Sequence, residues 1–118
     1  MSYGVAAYAD FPLYGLPVAV FDFETTGVDP TSCKAVELAI VHCNLGKDNA
    51  EVVFEKRFNP GCHIPEGASS VHGIVDDDVK DLDCMSEHTE EILRLLDGRV
   101  LAAYNLPYDW TLMSVEIG

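Results

Sequence analysis

Basic residues are scarce in this chain. Seven lysines and arginines stand against 20 acidic residues, a formal net charge of −13 over 118 residues. A protein that coats duplex nucleic acid needs a basic face to replace phosphate counterions, so this balance argues against that class. Long apolar runs are also missing. None reaches the roughly 18 residues of a membrane-spanning helix, and no membrane partner is expected. The four cysteines, Cys33, Cys43, Cys62 and Cys84, are irregularly spaced and form no Cys-x-x-Cys pair, which disfavours a disulfide scaffold or a zinc site. Residues 1–17 lack the basic start of a secretory signal and contain Asp10, Pro12 and Pro17. They are expected to form a leader segment, and reduced thiols in a cytoplasmic setting follow from the two observations together.

Apolar residues make up 48% of the chain, enough for one hydrophobic core, and the domain is expected over residues 18–118. Eight of the acids fall between Asp76 and Glu91 with Lys80 as the only lysine or arginine, a pattern typical of a solvated face.

Periodicity predicts an α/β order. Val18 to Glu24 reads as a central strand covered on both faces, with its polar groups at the carboxyl-terminal end. Ala35–Cys43 and Val52–Phe58 read as the next strands, joined by the turn-rich segment 44–49 in an antiparallel meander. Residues 59–73 are rich in Pro, Gly and Ser, predicting a long loop with at most a helical turn around Gly67–Val71. A helix is predicted over Glu87–Leu96 and a strand over Arg99–Tyr104, which as a crossover runs parallel to the first strand. Pro107 is suited to open a last helix, with Asn105 as a nearby cap.

The chemistry concentrates in Phe21-Asp-Phe-Glu-Thr-Thr-Gly27. Alternate strand residues share a face, so Asp22 and Glu24 project together about 6.6 Å apart. Their mutual repulsion is about 2 to 3 kcal/mol at an effective dielectric near 20. A hard divalent cation removes that cost; a solvated strand end avoids it. Asp109 carries a similar pair of readings, as a third ligand or as an acid favoured by the amino terminus of the last helix.

Taken together, the segments resemble the DEDD superfamily of 3′–5′ exonucleases, in the proofreading epsilon-subunit-like branch with an RNase H-like fold. Phe21–Gly27 resembles the first family motif, Asn105-Leu-Pro-Tyr-Asp109 the second, and Ile64-Pro-Glu-Gly-Ala-Ser-Ser-Val-His-Gly-Ile74 the loop that meets the terminal nucleotide. The resemblance covers about residues 18–117. It implies a mixed sheet of three antiparallel strands and one parallel strand with flanking helices. It further implies that Asp22, Glu24 and Asp109 are catalytic metal ligands for Mg²⁺ or Mn²⁺, and that Thr25, Val71, His72, Asn105 and Tyr108 meet the substrate. The partners implied are a single-stranded 3′ end, DNA or RNA, and a protein such as a polymerase. Thr25 and Gly27 equally suit a plain turn, His72 an ordinary loop histidine and Tyr108 helix packing.

Two features depart from the family. Tyr104 stands where a histidine often precedes the motif-two asparagine. The third motif, His-x4-Asp, is due roughly fifty residues after Asp109, beyond Gly118, and would bring the fourth carboxylate and the general base. The His72…Asp77 spacing matches His-x4-Asp by chance, since it lies before motif two. The chain is therefore expected to be the amino-terminal part of an exonuclease domain, truncated at its carboxyl terminus. The alternative is a catalytically silent nucleotide-binding or interaction module.

Overall fold

A computed structural model describes residues 13–117, so most of the expected leader lies outside the described residues. Four strands form one sheet: β1 (Pro17–Thr25), β2 (Ala35–Asn44), β3 (Glu51–Arg57) and β4 (Val100–Ala102). The order across it is β3-β2-β1-β4, with β1 antiparallel to β2, β2 antiparallel to β3, and β1 parallel to β4. The predicted meander and crossover are thus both present. The short β4 covers only part of the predicted span 99–104; the chain turns at Tyr104 before the last helix.

The helices are α1 (Glu66–His72), α2 (Asp76–Val79), α3 (Thr89–Leu96) and α4 (Leu106–Ile117), with a 3-10 turn at Met85–His88 ahead of α3. The helix predicted from Glu87 therefore opens as 3-10 and becomes α-helical at Thr89. The expected turn around Gly67–Val71 extends to a full seven-residue helix. It ends at Gly73, whose φ of 76° is left-handed and whose N–H reaches the Ser69 carbonyl at 2.7 Å. Such a cap suits glycine because a Cβ is strained there. The unpredicted α2 has three aspartates in its first turn, where acids are favoured, and the Asp78 carboxylate accepts from the Val75 N–H at 3.1 Å.

Ala19, Phe21 and Phe23 of β1 pack with Leu38, Ile40 and Phe54 and with Met85, Ile92, Leu96, Leu112 and Met113 from the helical side. Val36 gathers Ile64, Ile74 and Val79 into a smaller cluster that fixes α1 and α2. This overturns the expectation that β1 is covered on both faces. Its alternate residues Val20 and Asp22 are exposed, because the helices pack on the phenylalanine face. A two-sided apolar strand shows that both faces tolerate burial, not that a helix covers each. No described helix is long and apolar enough to cross a membrane.

Candidate active site

The site lies at the carboxyl-terminal end of β1, beside its parallel neighbour β4, the end where open α/β sheets bind ligands. The β1–β2 register slips between Glu24 and Thr25: Glu24 pairs with Glu37, and Thr25 pairs with Ala35. Such a bulge bends the strand and re-aims its last side chains. Two backbone-directed bonds close the segment that follows, from the Thr26 N–H to the Lys34 carbonyl at 3.0 Å and from the Lys34 N–H to the Thr26 hydroxyl at 2.9 Å.

The three acids sit in three environments. Asp22 is exposed, Glu24 is half-buried and Asp109, in the first turn of α4, is buried. Burial raises the Glu24 carboxyl above its ordinary value; nearby His72 opposes this, while Asp22 and Glu37 add to it. Asp109 is raised likewise, first by burial and then by Asp22, with the Asn105 backbone opposing. Asp22 is thus an electrostatic neighbour of both other acids. Among the described residues, no three His, Cys, Asp or Glu side chains converge closely enough to form a ready-made metal cluster. The donor set nonetheless fits a hard divalent cation, since it is all carboxylate, and burial and the Asp22 charge raise two of its members.

Beside Glu24 opens a pocket of ≈ 550 Å³, bounded by the turn after β1 and by α1. Of the predicted site residues, Glu24, Thr25, Val71, His72 and Tyr108 line it. Asp22, Asn105 and Asp109 do not, and Asn105 is exposed at the start of α4. Val71 is 82% exposed at the rim, an apolar side chain without core packing. Val28 is 93% exposed on the other wall. Sequence reasoning missed Val28, although it directly follows the first motif.

His72 has both ring nitrogens engaged. The Ile74 N–H donates to Nδ1 at 3.1 Å, so in the neutral ring the proton sits on Nε2, which donates to the Thr25 carbonyl at 2.9 Å. The histidine therefore ties the end of α1 to the residue after Glu24. Tyr108 ties α4 to the same turn: its hydroxyl donates to the Gly27 carbonyl at 2.7 Å and lies 2.8 Å from the Thr25 hydroxyl. Burial first, and then the contact with the Cys33 thiol, push the phenol up to about 12.

A mixed four-stranded sheet with carboxylates at the end of β1, beside the parallel edge strand β4, has the RNase H-like architecture. Comparison with known proteins agrees. An exonuclease family model matches residues 19–117, and the chain belongs to this DEDD 3′–5′ exonuclease family. It is 37% identical over 107 residues to a DNA polymerase III subunit epsilon-like protein of Rhodobacter capsulatus, covering 90% of this chain and 15% of that one. It is 28% identical over 107 residues to a PolC-type DNA polymerase III of Lactococcus lactis, covering 91% of this chain and 6% of that one. The chain therefore spans a small part of the length of these relatives. Among solved structures, Escherichia coli exonuclease I in complex with a dA16 oligonucleotide superposes with a TM-score of 0.72 at 17% identity, covering 83% of this chain and 23% of that one. At that identity the likeness speaks for the fold.

Proposed function

We propose that residues 18–118 are the amino-terminal part of a metal-dependent 3′–5′ exonuclease domain that releases nucleoside 5′-monophosphates from single-stranded 3′ ends of DNA or RNA. The observation that carries this reading is the placement of Glu24 on the wall of the ≈ 550 Å³ pocket, with Asp22 electrostatically coupled to both Glu24 and Asp109. Asp22, Glu24 and Asp109 are the residues that hold Mg²⁺ or Mn²⁺. The cations, when bound, supply charge neutralisation at the phosphate and lower the pKa of the attacking water.

The protein's own groups do the positioning. The pocket is largely apolar and takes the terminal nucleoside, with Val28 and Val71 as opposed exposed contacts and the Thr25 turn as its floor. Asn105 and exposed Tyr104 flank the approach to Asp109 and contact the strand rather than the cations. Holding one nucleotide at a strand end needs little basic surface, which reconciles the reading with a net charge of −13. The chain works in the cytoplasm, and a polymerase-type protein partner supplies additional grip on substrate, as the epsilon-like and PolC-type relatives suggest.

The absence of a converged carboxylate cluster among the described residues favours one second reading, a silent module that binds nucleotide without turnover. A 5′-labelled single-stranded oligonucleotide separates the two. The protein, extended in frame wherever its coding sequence continues past Gly118, is expected to shorten it from the 3′ end with Mg²⁺ or Mn²⁺, and Asp22→Ala is expected to abolish this. Metal-independent shortening contradicts the proposal, and nucleotide binding without shortening supports the silent module.

A further inference from the structure

The buried Asp109 carboxylate has no hydrogen bond from another side chain among the described residues, so its position depends on where the first turn of α4 is held. The preceding residue holds that turn. The Tyr108 phenol donates to the Gly27 carbonyl at 2.7 Å and lies 2.8 Å from the Thr25 hydroxyl, which itself donates to the Gly27 carbonyl at 2.8 Å. The Cys33 thiol, buried behind the turn, lies 3.3 Å from the same phenol oxygen.

We propose that Tyr108 is a positioning residue that sets Asp109 beside Asp22 at the end of β1: its hydroxyl bridges the first turn of α4 to the turn that follows Glu24. This rests on the reading of Asp22, Glu24 and Asp109 as a cation site. Ring packing alone needs only a phenylalanine, whereas this phenol makes polar contacts to both Thr25 and Gly27.

The test is Mn²⁺ binding at neutral pH, measured from the electron paramagnetic resonance signal of free Mn²⁺, with circular dichroism as the fold control. Tyr108→Phe keeps the ring and removes the bridge; it is expected to weaken Mn²⁺ binding about tenfold with an unchanged fold. Thr25→Val removes one contact from the other side and carries the test if Tyr108→Phe does not fold; it is expected to weaken binding in the same direction. In the double variant the losses should be less than additive, because both changes break one bridge. Equal Mn²⁺ affinity in the wild type and both folded variants overturns the positioning role while leaving the cation site intact. No Mn²⁺ binding by the wild type overturns the cation-site reading itself.

Discussion

Glu24 stands directly across the β1–β2 ladder from Glu37, and Glu37 in turn pairs with Arg57 of β3, whose Nε lies 3.2 Å from the Glu37 carboxylate. Like charges facing each other across a ladder destabilise a sheet, and here one of the pair also raises the Glu24 carboxyl. The arginine pairs with Glu37, and among the described residues His72 is the neighbour that lowers the Glu24 carboxyl. This is the arrangement expected where an external cation completes the balance.

Glu37→Gln should therefore lower the Glu24 titration midpoint relative to wild type, as read by carbon-13 NMR of its carboxyl. The stability change should stay within about 1 kcal/mol, because the Glu37–Arg57 pair that is also lost is partly exposed to solvent. An upward shift of Glu24 contradicts the assignment.

Stability depends on pH with two opposing signs. Glu24 and Asp109 have folded values raised above 4.5 and 3.8, so their ionisation opposes folding above those folded values. That penalty is relieved as pH falls through the folded values and is gone below the ordinary ones. Asp29 and Asp76 are lowered, by hydrogen bonds from Thr31 and from the Ile64 amide respectively, so their contribution is lost only as pH falls below the ordinary aspartate value of 3.8. In chelator, the thermal midpoint should rise from neutral pH towards 4.5 and fall again below 3.8. A midpoint that falls steadily from neutral pH contradicts the raised values.

The His72 bridge makes a tautomer prediction. In the neutral ring, nitrogen-15 NMR should find the proton on Nε2. His72→Ala should destabilise the fold by about 1 to 3 kcal/mol, because the Thr25 carbonyl and the Ile74 N–H both lose a partner. A predominant Nδ1–H form contradicts the bridge.

The core prediction is simple. Phe21 is 1% exposed at the centre of the main cluster, and Phe21→Ala should cost about 3 to 5 kcal/mol in chemical denaturation. A loss below about 1 kcal/mol contradicts its place in the core.

The sequence made the sheet legible because Val18–Glu24 and its two successors have strong apolar patterns separated by turn residues, and Gly98 marks a turn before β4. It did not reveal α2, whose four residues include three aspartates and just one buried apolar contact, Val79. Nor did it show that Val20 and Asp22 are exposed among the described residues, since Val20 looks identical in sequence to the buried Val18. The carboxylates and the loop carrying His72 were legible as motifs. The bridges from His72 and Tyr108 were not, because they end on backbone carbonyls of Thr25 and Gly27, which have no sequence signature. Cys33 was legible as a lone thiol but not as a neighbour of a phenol 75 residues away.

The central claim is that Asp22, Glu24 and Asp109 form one divalent-cation site at the end of β1. Its most direct measurement is a calorimetric titration of Mn²⁺ into the metal-free protein at neutral pH, beside the Asp22→Asn variant. The account predicts binding by the wild type that weakens at least tenfold in the folded variant, whereas no binding, or binding that the substitution leaves unchanged, contradicts it.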